Sequence, residues 1–353
     1  MKIVRFLDGA SKERYGEWVS EDTARVIEGD LFGDYSVTEE TAEIAKLLAP
    51  VIPRTALCIG LNYRQPAEEG GNDIPEYPVL FIKAANTLNH PGDPIVVPAI
   101  EPVTVDYECE LAVVIGREAK NVSQADALDY VLGYTCANDV SGRTWQTKKG
   151  GSQWCRGKSF DTFLPLGPCL VTPEEIPDPN ALKLSTTLNG EVMQDWTTSD
   201  MIFNVPTLIE FLSQGTTLLP GTVILTGTPQ GVGAARNPPV FLKDGDEVTV
   251  EVENIGTLTH PVPAECCRLK SRRVFPAELP AASGDLFAGG AGASARAILP
   301  ARGPRAGHPG SGGLSSAGRR GSFLSAGCGR RAASRPGRDR CPRRCGERPS
   351  GRQ

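Results

Sequence analysis

Apolar and polar positions alternate in short runs through the first 262 residues, the period expected of strands with one buried face. Residues 2–6, 15–19, 24–27, 56–59, 79–83 and 112–115 are such runs, rich in β-branched side chains. Further strands are predicted at 134–137, from 169, and at 222–226. The run 182–188 is followed by Asn189-Gly190 and then by 191–194, the two-residue turn chemistry of a tight hairpin. A last hairpin is predicted where 247–253 and 257–260 flank Asn254-Ile255-Gly256. Helical spacing is scarce. It is read at 38–48 behind Ser36 or Thr38, at 124–132 behind Ser123 and closed by Gly133, and from Asn204-Val205-Pro206 to Leu212, closed at Gly215. Strands dominate, so the predicted class is α+β and β-rich. Two polar connections stand out. Residues 64–76 read as a mobile loop or short helix, and 141–160 is long enough to suggest a functional loop.

The pattern divides the chain into a small N-terminal domain (1–52), a main domain (53–262) and a tail (263–353) where the alternation stops. The tail is Arg, Gly, Ala, Pro and Ser, with Phe275, Phe287 and Phe323 its aromatics. Such a stretch cannot bury enough apolar surface to offset chain entropy, so it is predicted to be disordered. It carries 18 Lys and Arg against 5 Asp and Glu, whereas the body is strongly acidic, so the overall charge of −5 describes neither part. A basic tail can be an electrostatic arm for nucleic acid or acidic membrane. A solvated tail, or a stretch translated through an unspliced or out-of-frame segment, fits its abrupt onset better, so nucleic acid is not the expected partner. Five cysteines lie scattered in the body, an odd number in apolar contexts. They form no disulfide framework and suit a reducing compartment. No apolar run approaches the ~20 residues that span a bilayer. Met1-Lys2-Ile3 leads straight into a strand without a recognisable leader. The expected location is cytoplasmic, with mitochondria not excluded.

Candidate chemistry centres on Asp106-Tyr107-Glu108-Cys109-Glu110-Leu111. On a strand, Glu108 and Glu110 project to the same face. Two adjacent carboxylates repel unless they share a proton or a cation. A third acid, Asp139, sits in an otherwise apolar run. Three acidic oxygens and few histidines suggest a hard divalent cation such as Mg²⁺ or Mn²⁺; a solvated polar strand face is the alternative. His90, His260 and His308 are the only histidines, and no Gly-x-Ser-x-Gly elbow or phosphate loop is present. The remaining candidates are Lys158, Gln194 and Thr228. A metal with open positions can chelate a 2-oxo acid and stabilise its enolate, and a lysine beside it adds positive charge there.

Six motifs occur in order: Cys58-Ile59-Gly60-Leu61-Asn62-Tyr63, Asp106 through Gly116, Asn138-Asp139-Val140-Ser141, Lys158-Ser159-Phe160-Asp161-Thr162-Phe163, Asn189-Gly190-Glu191, and Leu225 through Gly233. Together they resemble the fumarylacetoacetate hydrolase family over about residues 55–262. The resemblance implies a mixed β-sandwich roll and a homodimer. It also implies Mg²⁺ (or Mn²⁺ or Ca²⁺) on Glu108, Glu110 and Asp139, with a small 2-oxo acid as substrate. Lys158 is implied as catalytic, with Tyr63, Arg64, Gly227, Thr228 and, more weakly, Gln194 around the substrate.

The sequence departs from the family at one point. Hydrolytic members place a His three residues after the Tyr of Asn-Tyr, and a Glu three residues further on. Here the histidine position is Pro66, while Glu69 keeps the acid. Proline offers no base, so the water-activating pair cannot form, and Pro66 also disfavours helix at Gln65. A decarboxylase or tautomerase acting on an oxaloacetate-like acid is therefore favoured. The alternatives are a residual C–C hydrolase using Glu69 and a catalytically inactive metal-binding homologue.

Overall fold

The computed structural model describes residues 1–65 and 74–265. Strands β1 (Lys2–Leu7), β2 (Glu13–Ser20), β3 (Thr23–Gly29) and β4 (Tyr35–Glu43) form an antiparallel meander, and β5 (Lys46–Leu48) returns to pair with β1. They are followed by β6 (Thr55–Gly60), β7 (Val79–Lys83), β8 (Leu88–Asn89), β9 (Val105–Asp106), β10 (Cys109–Ile115), β11 (Val131–Asn138) and β12 (Ser141–Gly142). The long polar connection folds into two single-turn helices, α1 (Arg143–Gln146) and α2 (Cys155–Lys158). Then come β13 (Leu164–Val171), the hairpin β14 (Lys183–Leu188) and β15 (Glu191–Thr197), helix α3 (Val205–Ser213), β16 (Thr222–Leu225), β17 (Asp246–Val252) and β18 (Gly256–Val262).

The described strands build two main layers. A 12-stranded sheet runs β4-β3-β2-β1-β13-β11-β10-β16-β6-β7, with β5 beside β1 and β8 beside β13. A four-stranded sheet, β15-β14-β17-β18, packs over its centre. The long sheet is mixed, because β16 and β6 run parallel with Thr222 opposite Thr55. Alternation decides the packing. On β17, Val248, Val250 and Val252 are buried while Glu247 and Glu251 are exposed. Strand β10 is buried throughout. Cys109, Leu111, Val113 and Ile115 face the core shared with the smaller sheet, and Ala112 and Val114 face a second core on the opposite side. This is the mixed β-sandwich architecture expected. Strand β1 joins the first fifty residues to the long sheet through β13, with Ile3 opposite Leu170.

The hairpin at Asn189-Gly190 forms as predicted, with φ of 52° and 82°. Helix α3 starts where predicted, its Asn204 side chain accepting from the Thr207 N–H at 3.0 Å. Three expectations fail. Residues 38–48 form β4 and β5, not a helix, because Val37, Thr38 and Thr41 complete the edge that β3 leaves open, with Ala42 opposite Ala24. Residues 124–132 form a 3₁₀ turn, Ala127–Tyr130, and Val131 and Leu132 are drawn into β11. Cys169 lies near the end of β13, not at the start of a strand.

The fold also continues past residue 262. Ala264 bridges Val97, and the Glu265 carboxylate accepts from the Ala99 N–H at 2.7 Å. The rest of the predicted tail and most of the 64–76 connection, including Pro66 and Glu69, lie outside the described residues. Truncation after Glu265 should leave the melting temperature unchanged. Truncation after Val262 should cost about 1–2 kcal/mol through the lost backbone and carboxylate bonds; thermal unfolding of the two truncated proteins side by side checks this.

Candidate metal centre and active site

Strand β10 begins one residue after Glu108, and β11 ends one residue before Asp139. The two strands are antiparallel neighbours, with Cys109 opposite Asn138. The Asp139 N–H donates to the Glu108 carbonyl at 2.9 Å, and the Glu108 N–H donates to Asn138 Oδ1 at 3.0 Å. These bonds hold both acids at one end of the pair. Glu108, Glu110 and Asp139 are buried and offer carboxylate oxygens within 4.8 Å of one another.

Buried carboxylates need counter-charges. Lys158, on the last turn of α2, donates to Glu108 Oε2 and Asp139 Oδ2, each at 2.6 Å. Lys83, at the end of β7, donates to Asp139 Oδ1 at 2.6 Å and to the Val140 carbonyl at 3.0 Å. Arg143, opening α1, pairs with Glu108 at 2.7 Å and with Asp106 at 2.8 Å. Burial opposes ionisation of Asp139, but Lys158 and Lys83 outweigh it and hold the carboxyl below its ordinary value. Burial likewise opposes the charge on Lys158, and Asp139 and Glu108 overcome it, so its ammonium is held above the ordinary lysine value. Lys83 is pulled down by burial in spite of Asp139.

Glu110 is the exception. One of its oxygens accepts the Gly227 N–H at 2.7 Å, but no cationic side chain among the described residues bonds to it. Burial, with the charges of Asp139 and Glu108 beside it, pushes its carboxyl well above the ordinary range. Among the described residues, the cluster is one positive charge short where Glu110 sits. A set of three hard oxygen ligands with that deficit fits a divalent cation.

The cluster lies beside a cavity of about 800 Å³ lined by Tyr63, Phe81, Trp154, Thr228, Gln230 and Arg236 among others. Tyr63 is buried, and its hydroxyl has no partner among the described residues. Burial and then the charge on Glu110 raise its phenol well above the ordinary value, so it is a donor and not a base. Asn62, just before it, ties three segments together: its amide donates to the Phe203 and Thr226 carbonyls and accepts from the Phe203 N–H. Gly227 has φ of +98°, and a Cβ there would stand 2.8 Å from that of Asn62.

Two expected substrate contacts, Gln194 and Arg64, are not among the residues that line the cavity. Gln194 is buried behind the cavity wall. Its carbonyl accepts from the Cys109 N–H and the Thr186 hydroxyl, and its amide donates to Thr228 Oγ1 and the Pro229 carbonyl. That spends the side chain on bracing the loop. Arg64 is exposed and donates to the Met201 carbonyl at 2.9 Å. Thr228 lines the cavity while its hydroxyl donates to the Cys109 carbonyl. Lys83, Asp106, Arg143 and Arg236 were not singled out from sequence. Asp106 was legible in principle, because it precedes Glu108 by the same two-residue step that links Glu108 to Glu110.

Residues 55–263 match the fumarylacetoacetate (FAA) hydrolase C-terminal family, and residues 1–50 match the Rv2993c-like N-terminal family. The chain belongs to the fumarylacetoacetate hydrolase family. It is 49% identical over 229 residues to the fumarylacetoacetate hydrolase domain-containing protein 2 homolog of Dictyostelium discoideum, covering 62% of this chain and 75% of that one. It is 48% identical over 217 residues to Xenopus laevis oxaloacetate tautomerase fahd2, mitochondrial, covering 61% and 68%. Among solved structures, the Mycobacterium marinum 2-hydroxyhepta-2,4-diene-1,7-dioate isomerase superposes with a TM-score of 0.65 at 40% identity, covering 75% of this chain and 99% of that one. In this family setting the Glu108–Glu110–Asp139 cluster stands as a candidate metal site. The raised Glu110 carboxyl gives it a pH signature. Below that raised value the site holds a proton that a cation must expel, so divalent-cation affinity should rise with pH. Calorimetry in buffers of different ionisation heat should show proton release when a divalent cation binds.

Proposed function

We propose that this protein interconverts the keto and enol forms of a 2-oxo acid, with oxaloacetate as its substrate. The observation that carries the reading is the buried Lys158 ammonium, fixed between Glu108 and Asp139 beside the cavity. Mg²⁺ held by Glu108, Glu110 and Asp139 would supply Lewis acidity to a chelated 2-oxo carboxylate. Lys158 places a preorganised positive charge where an enolate oxygen grows. Tyr63 offers a hydroxyl donor at the same wall. Phe81 and Trp154, edge to face at 5.5 Å, form an apolar side that keeps water from the reacting carbon.

Tautomerisation moves a proton from C3 to the 2-oxo oxygen. It needs a proton acceptor at C3 and no activated water. Glu69 is the candidate acceptor, and Pro66 in place of histidine is no obstacle to this chemistry. The relatives from Xenopus laevis and Homo sapiens, at 48% and 47% identity, carry the name oxaloacetate tautomerase, which supports the choice of substrate. Those names also state a mitochondrial location for those proteins. The five free cysteines among the described residues are buried or half-buried and suit a reducing compartment, cytoplasmic or mitochondrial. A homodimer, implied by the resemblance, belongs to the same reading.

Enol-oxaloacetate decay followed by ultraviolet absorbance with Mg²⁺ tests the proposal. The protein should accelerate ketonisation beyond metal alone, and Asp139→Asn should lower the rate by about 100-fold or more. A rate equal to that of free Mg²⁺, or pyruvate and CO₂ as the sole products, would overturn it. Pro66→His should add acetylpyruvate hydrolysis, read as pyruvate release. If it does, the hydrolytic machinery apart from that histidine is intact.

A further inference from the structure

Three cationic side chains line the cavity: Arg143, Lys158 and Arg236. The first two are committed to Asp106, Glu108 and Asp139. Arg236 pairs with no carboxylate among the described residues. Its Nη2 donates to the Met193 carbonyl at 2.8 Å, and its buried Nε has no partner.

The loop that carries Arg236 is tightly held. Asp106 accepts the Gly233 and Ala234 N–H groups at 2.8 and 2.9 Å. The Tyr107 hydroxyl donates to the Gly231 carbonyl at 3.1 Å, and Gln194 donates to the Pro229 carbonyl at 3.0 Å. A guanidinium on so fixed a support loses little freedom when it binds an anion, and its planar fork suits a carboxylate.

We propose that Arg236 recognises the far carboxylate of a dicarboxylic 2-oxo acid and makes the site selective for such dianions. The proposal rests on the metal-centred tautomerase reading above and adds the determinant of substrate class. Charge supports it. Asp106, Glu108, Glu110 and Asp139 face Lys83, Lys158 and Arg143, which leaves the cluster one negative charge in excess. A divalent cation would reverse that to one positive, the match for a monocarboxylate. Arg236 adds the second positive charge, the match for oxaloacetate. Its neighbours at the rim, Val232, Ala234, Ala235 and Gln230, carry no charge, so nothing there competes for the anion.

The test compares oxaloacetate with its 4-methyl ester, which enolises at the same carbon but lacks the far charge. In wild-type protein with Mg²⁺, kcat/KM for oxaloacetate should exceed that for the ester by about 10- to 100-fold. Arg236→Met should erase this preference, mainly by raising KM for oxaloacetate, and Arg236→Lys should restore part of it. Equal losses for both substrates would show that Arg236 only straps the loop to Met193 and would overturn the proposal. So would an unchanged preference. Should Arg236→Met fail to fold, the wild-type comparison decides alone, because equal KM values for acid and ester overturn the proposal. Oxalate, which has metal-chelating oxygens and no far carboxylate, should inhibit wild type and variant alike. If oxalate fails to inhibit the wild type, the metal-centred reading falls first, separately from the role of Arg236.

Discussion

The structure depends on burying carboxylates that must not be left uncompensated. Glu108, Glu110 and Asp139 are buried, with carboxylate oxygens within 4.8 Å of one another. Removing such charges from water is costly unless opposite charges and hydrogen bonds replace the solvent. The fold supplies those from four separate parts of the chain. Lys83 comes from the end of β7, Lys158 from α2, Arg143 from α1 and the Gly227 N–H from the loop after β16. The long polar connection between β12 and β13 exists, in energetic terms, to deliver two of these cations. Its two single-turn helices are too short to be stable alone, and the ion pairs at their ends hold them in place.

The same compensation leaves one gap. Glu110 has a backbone donor but no cationic partner among the described residues, and its raised carboxyl reports that shortage. The gap connects fold to chemistry, since a site balanced by lysines and arginine alone would attract no further cation. The loop from Gly227 to Arg236 closes the other side of the cavity. It is fastened by Asp106 and by Gln194, two polar side chains whose hydrogen bonds decide where the lining residues stand.

Replacing the family histidine with Pro66 sharpens what the site is suited to. Holding a 2-oxo acid and stabilising its enolate needs charges fixed in space, and these are present. Splitting a carbon–carbon bond with water needs a base at the histidine position, and that residue is proline. In the sequence, a single side chain at position 66 separates two reactions that share one scaffold.

The spacing of apolar and polar residues determined the β-rich class, the Asn189-Gly190 hairpin, helix α3 with its Asn204 cap, and the closing β17–β18 pair. These depend on turn chemistry, on helix capping and on short periods along the chain, all local. The same period put Glu108 and Glu110 on one face, and the ordered motifs pointed to Asp139 and Lys158. Tertiary structure decided the rest. Residues 38–48 carry helical spacing yet complete a sheet, because the open edge of β3 offers more than local propensity does. Lys83 ends a strand like any surface lysine in sequence, yet it is buried against Asp139. Gln194 is hydrogen-bonded to the loop at Thr228 and Pro229, while Arg236 gave no signal and lines the cavity without a carboxylate partner among the described residues. Whether a polar group meets water, a partner or a ligand depends on what lies across from it in space, and no local pattern encodes that.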